Sequence, residues 1–224
     1  MNNYKIQLKK QKLWEGCILA SIAHAIMVAH YPEIANEHSW DGINYNVQNS
    51  EGARGTITFS DYYIAGAFRD DNSERLIGKN KIISYSGYFK DAQKEIKKMV
   101  EQETLQYLLN NINGTIAPLI TTAFWGNDRD IFSSDPYEVF TDNGGFLIER
   151  QLMGIDMAIE EWKEYYDMTQ QQCDLLRVIY KQKITQPNQI LCLTSQEIDM
   201  IDSNDEEGLY ESKISFGEIG IEWK

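Results

Sequence analysis

Apolar positions recur along this chain in two rhythms, and the change from one to the other outlines the fold. Tyr4-Lys5-Ile6-Gln7-Leu8 alternates and predicts a short strand. Residues 14–30 are apolar nearly all round, which predicts a buried helix closed off by Pro32. Period-two spacing returns over 40–49, with Ile43, Tyr45 and Val47 on one face, and again over 56–59 and 62–68. The turn-forming stretch 49–55 sits between the first two runs, so the three read as an antiparallel meander. A further strand is expected over 81–88. Residues 90–112 place Ala92, Ile96, Met99, Val100, Leu105, Leu108 and Leu109 near one stripe, predicting a long amphipathic helix stopped by Asn113-Gly114. The apolar stretch 116–125 fits a buried strand or a helix equally well.

Beyond Pro136 the spacing turns mainly helical, over 146–153, 156–166 and 170–183. Thr169 with Gln172, and Thr194 with Glu197, resemble capping boxes. Residues 189–193 read as a strand, 196–202 as a short helix, and 213–223 as a closing hairpin around Phe216-Gly217-Glu218. The expected class is α+β: an N-terminal antiparallel strand meander with a buried helix, then a mainly helical C-terminal half closed by a short hairpin. No repeat, low-complexity tract or linker interrupts the pattern, so 1–224 reads as a single α+β domain.

Charge adds one feature that hydropathy does not. The chain holds 34 acidic and 21 basic residues, a net charge of −13. Residues 1–112 hold 13 of each, whereas 113–224 hold 21 acids and 8 bases, which marks a candidate subdivision near residue 113. A negative field attracts basic partners and repels phosphate backbones, so no nucleic-acid binding is expected. Hydrophobic residues at 42% and charged residues at 25% exclude a disordered tail or a disulfide-stapled miniprotein. Cys17, Cys173 and Cys192 are an odd, widely spaced set, which fits a reducing, cytoplasmic compartment and buried, inert thiols. Lys9, Lys10 and Lys12 ahead of the apolar run 17–29 have the outline of a secretory signal, but Glu15 and His24 break it. The run is also shorter than the ~20 residues a membrane span needs, and no membrane association is expected. Aromatic content of 12% is compatible with a homodimer interface.

Candidate chemistry is sparse. All three histidines, His24, His30 and His38, lie in the first 38 residues. Gln11 stands six residues ahead of Cys17, a spacing that resembles papain-like enzymes, but the likeness stops at those two positions and no downstream histidine exists to act as base. His30, Glu33, Glu37, His38 and Asp41 form the densest set of metal-ligating residue types, and Pro32 separates His30 from the others. Counted from Asp202, Gly208 is seventh and Lys213 twelfth, so the acidic run 202–207 is not a calcium loop and reads as solvent-facing. No metal and no cofactor is expected.

Two classes of function follow. In the first, the protein is an acidic binding protein, of inhibitor or immunity type, whose C-terminal half engages a basic protein partner. The predicted helix 156–166 would offer Asp156, Glu160, Glu161 and Glu164 with Tyr165 among them, charge steering the encounter and aromatic surface supplying affinity. In the second, an enzyme or binder handles a small anionic ligand with His38, Asp41, Arg54 and Arg69, the arginines clamping the anion. Arg69 has a competing use as a surface partner of Asp70 or Asp71. The first class accounts for both the charge step and the poverty of catalytic motifs, so the chain reads as a binding protein rather than an enzyme.

Overall fold

A computed structural model of the chain describes residues 3–76, 84–112 and 114–223. Its class is α+β. The strands are β1 (Tyr4–Ile6), β2 (His38–Asp41), β3 (Asn44–Gln48), β4 (Ala53–Phe59), β5 (Tyr63–Asp70), β6 (Leu109–Ile112), β7 (Thr115–Pro118), β8 (Thr122–Asn127), β9 (Ile131–Ser133), β10 (Leu191–Leu193) and β11 (Ile221–Trp223). The helices are α1 (Lys10–Met27), α2 (Tyr85–Tyr88), α3 (Lys94–Gln102), α4 (Tyr137–Asp142), α5 (Ile155–Tyr166), α6 (Gln170–Thr185), α7 (Ser195–Asp199) and α8 (Glu206–Glu218). Within the unit formed by Met1–Lys12 with Ile43–Glu149, the sheet runs in the order β1-β9-β8-β5-β4-β3. None of the helices among the described residues is long and apolar enough to cross a membrane. The chain forms two compact units, Met1–Lys12 with Ile43–Glu149, and Leu13–Gly42 with Arg150–Lys224.

In the first unit the meander expected from period-two spacing forms, with Tyr45 opposite Ile57 and Ile57 opposite Gly66. One sheet face carries Ala65, Ala67 and Ala123, and these small side chains leave room for Ile96 and Val100 of α3 and for Leu105 and Leu108. The strand expected over 40–49 is two strands, because Gly42 takes a left-handed φ of +58° and turns the chain; Ile43 beside it stays exposed. The long helix expected over 90–112 also divides. Helical hydrogen bonding ends at Gln102, a 3-10 helix over Thr104–Leu108 keeps Leu105 and Leu108 buried, and Leu109–Ile112 pairs with β7 instead. A shared apolar stripe thus fits both the helical turns and the strand that follows. The ambiguous stretch 116–125 is strand, divided between β7 and β8. Of the strand expected over 81–88, residues 81–83 lie outside the described residues and Tyr85–Tyr88 form a helical turn.

The second unit is organised around α1. Leu13 and every residue from Cys17 to Met27 are buried, so the helix has no solvent face over most of its length. Its neighbours in the core are Ile159 and Trp162 of α5, Leu175, Leu176 and Ile179 of α6, and Phe216 of α8. Burial on all sides turns polar groups of α1 inward, and Ser21 among them is satisfied: its Oγ donates to the Cys17 carbonyl at 2.8 Å and accepts from Trp40 Nε1 at 2.8 Å. Both expected capping boxes are present, Thr169 with Gln172 at α6 and Thr194 with Glu197 at α7. The span 146–153 is two 3-10 helices, Gly145–Ile148 and Arg150–Leu152, rather than α-helix. The expected hairpin over 213–223 is replaced by α8 followed by β11, which pairs parallel with β10. The acidic run before it explains the difference, since Asp205 accepts from the Gly208 N–H at 3.0 Å and starts a helix where the composition suggested an open loop. A parallel pair also needs a long crossover, which α7 and α8 supply. Cys17 and Cys173 are buried, while Cys192, on the short strand β10, is exposed.

The closeness of this packing is testable at glycine. A Cβ on Gly16 would stand 1.8 Å from the Gln151 carbonyl oxygen, and one on Gly208 would stand 2.4 Å from that of Ala29. Gly16→Ala and Gly208→Ala should each cost at least ~1–3 kcal/mol. Gly217 has nothing within 4 Å, so Gly217→Ala in α8 should gain ~0.5–1 kcal/mol. Urea midpoints of the three variants check this, and an undisturbed Gly16→Ala would contradict the packing around α1.

Candidate functional site

The four residues of the small-ligand reading do not fall in one unit. Arg54 and Arg69 are direct cross-strand partners on β4 and β5 in the first unit. Both turn to Asp71, Arg69 Nε at 2.5 Å and Arg54 Nη2 at 3.5 Å. Their guanidiniums therefore already hold a carboxylate of the chain itself. His38 and Asp41 lie on β2, in the second unit. His38 is 5% exposed, inside the core rather than on a loop, and Asp41 is exposed.

The residues of the acidic helix do present together. On α5 the buried positions Ala158, Ile159, Trp162 and Tyr166 repeat at helical spacing. That periodicity turns Asp156, Glu160 and Glu164 out to solvent, with Glu161 half-buried and Tyr165 44% exposed. Asp156 stands in the first turn, where the helix dipole favours a carboxylate, and pairs with Arg177 at 2.6 Å. The charge asymmetry between the halves of the sequence carries over almost unchanged to the two units. Counted over its residues, the second unit holds 19 acids and 7 bases, the first 15 and 14. Twelve of the thirteen net negative charges therefore belong to the second unit.

At the C-terminal end of α5 the same unit has a cavity of about 360 Å³, open to solvent and lined by Tyr31, Glu33, Ile34, Glu37, Tyr165, Tyr166 and Asp167. Pro32 in the first turn of a 3-10 helix over Pro32–Ile34 fixes the segment that carries Glu33. Asp167 ends α5 in the left-handed region at φ +54°, a conformation that aspartate tolerates better than most residues. Glu37 accepts from both phenols, Tyr166 Oη at 3.1 Å and Tyr165 Oη at 3.3 Å. Even so, burial pushes its carboxyl above the usual range, against the opposing pull of the two phenols and of Arg150. The aromatic wall continues inward: Tyr166 stacks on Trp162 with ring centroids 5.6 Å apart, and Tyr165 meets Tyr166 edge-on at 4.7 Å. The Arg150 guanidinium lies over Tyr165 at 4.3 Å and over Trp162 at 5.2 Å.

The sequence pointed to Tyr165 on helical grounds but did not join it to residues 31–37, which are some 130 positions away. Glu33 and Glu37 entered only as metal-ligand types, and Arg150 carried no signal at all. Among the described residues, no group of three or more His, Cys, Asp or Glu side chains is placed to hold a metal ion. Comparison of the chain with protein-family models, with curated proteins and with solved structures finds no match.

Behind the cavity two histidines are buried in contact, the rings of His24 and His38 5.2 Å apart and His38 edge-on to Trp162 at 5.4 Å. His24 Nε2 donates to the Ile34 carbonyl at 3.0 Å, and its buried Nδ1 has no partner among the described residues. Burial lowers the His24 pKa to about 4, and burial, with His24 and Arg150 nearby, holds His38 well below the usual value. An unfolded chain would take up these protons near pH 6.5 while the folded one refuses them. Their contribution to stability is therefore complete above pH 6.5 and is lost as pH falls toward 4, at up to about 1.4 kcal/mol per pH unit for each histidine. The imidazole proton resonance of His24 should titrate near pH 4; a midpoint at 6 or above would contradict its burial.

Proposed function

We propose that this protein is an acidic binding module whose second unit engages a basic protein partner, as an inhibitor or immunity-type protein does. The observation that supports the reading best is the location of the charge. Twelve net negative charges fall on the unit that also holds the outward carboxylates of α5 and the tyrosine-walled cavity. A field of this sign raises the encounter rate with a cationic protein, and exposed tyrosine beside it supplies contact area at small entropic cost. Arg54 and Arg69 are engaged with Asp71, and among the described residues no feature of the first unit gives the anionic-ligand reading comparable support.

The test uses a fluorescent hepta-arginine peptide as a cationic stand-in and follows its association by stopped flow. The wild-type rate should fall steeply as salt rises. The triple variant Glu160→Lys, Glu161→Lys, Glu164→Lys should associate about tenfold more slowly, with a flatter salt dependence and an unchanged circular dichroism spectrum. Equal rates for wild type and variant would remove α5 from the interface. A hepta-glutamate peptide that bound as well would overturn the proposal.

A further inference from the structure

We infer that the cavity at the end of α5 is the seat of one arginine side chain of the basic partner, an inference that rests on the binding reading above. Its lining argues against other occupants. Carboxylates at Glu33, Glu37 and Asp167 disfavour an anion and favour a group that donates hydrogen bonds and carries positive charge. At about 360 Å³ it stands near the lower end of the range for small-molecule sites, ~300–1,000 Å³, which suits a single side chain rather than a cofactor. Guanidinium is the cation that combines a flat face for aromatic rings with a fork of donors for carboxylates.

The unit already contains an instance of the first half of that chemistry. Arg150 sits within cation–π distance of Tyr165 and Trp162, in the aromatic cluster that forms the inner wall. Its charge offsets part of the local negative potential, but Glu33, Glu37 and Asp167 outnumber it three to one. Glu37 is the group that a second cation would relieve. It is half-buried and bonded to two phenols, and its carboxyl is still pushed up by loss of solvent. A guanidinium entering the open mouth would replace that lost solvation with a charge-assisted hydrogen bond.

The experiment compares two blocked glycine-rich peptides, identical except that one carries a single arginine and the other its neutral isostere citrulline. Each is titrated at low salt into isotopically labelled full-length protein and followed by NMR. The arginine peptide should shift the amide resonances of Glu37, Tyr165, Tyr166 and Asp167, with millimolar affinity, and the citrulline peptide should not. Glu37→Gln, which keeps an acceptor for the phenols, should weaken arginine binding about tenfold, and Asp167→Asn should weaken it less. Equal shifts from both peptides, or shifts that miss these residues, would overturn the inference, and neither result depends on a variant folding. If the single-arginine peptide fails while hepta-arginine binds through Glu160, Glu161 and Glu164, the cavity assignment falls and the binding module stands. If neither binds, both fall.

Discussion

The burial of α1 on every side is the constraint on which the second unit depends. A helix without a solvent face must be covered all round, and here α5, α6 and α8 supply the apolar side chains that cover it. Small residues make the contact close. Gly16 meets the Gln151 backbone and Gly208 meets that of Ala29, so the backbones approach where a Cβ would not fit. The same requirement fixes the polar groups. His24 is drawn into the core as the neutral ring and anchors the Ile34 carbonyl, which steadies the segment carrying Glu33 and Glu37. Core packing in this unit thus centres on a single element, which also anchors one lining residue of the cavity through the Ile34 carbonyl.

Electrostatics in this unit work by separation. The interior is mainly apolar, with neutral His24 and His38 and a few buried polar groups such as Gln172 and Lys183, and most carboxylates stand outside it on α5, around the cavity and ahead of α8. Such an arrangement leaves most of the negative charge solvated, where it costs little and acts at a distance. Glu37 is one exception, half-buried among tyrosines, and it is there that a specific contact is proposed. The first unit, nearly neutral, pairs its own charges locally: Arg69 and Arg54 with Asp71, and Arg75 with both oxygens of Asp135 at 2.7 and 2.8 Å.

Elements with one strong periodicity were legible in the sequence. The meander, α1, α5, α6 and both capping boxes stand where spacing and cap chemistry put them. The departures have a common physical origin, in that one apolar pattern is compatible with more than one hydrogen-bonding partner. Leu105, Leu108 and Leu109 continue a helical stripe, but 109–112 finds a strand partner in β7 and the helix stops. Phe216-Gly217-Glu218 looks like a turn, yet Asp205 caps a helix that runs through it. The candidate site was half legible. Charge and aromatics on α5 were visible as a local pattern, whereas the approach of residues 31–37 is a tertiary contact that no spacing encodes. Arg150 follows the same rule, because a lone arginine at a helix boundary acquires meaning only from the rings it meets.

The claim that matters most is that the second unit, and within it the face shared by α5 and residues 31–37, is where a cationic partner lands. Hydrogen exchange read by mass spectrometry, with and without a saturating polyarginine peptide at low salt, tests it over the whole chain at once. The account predicts added protection in peptides covering 31–37 and 156–167 and none in those covering 44–70. Protection centred on 44–70 instead would place the binding surface on the nearly neutral sheet and contradict it.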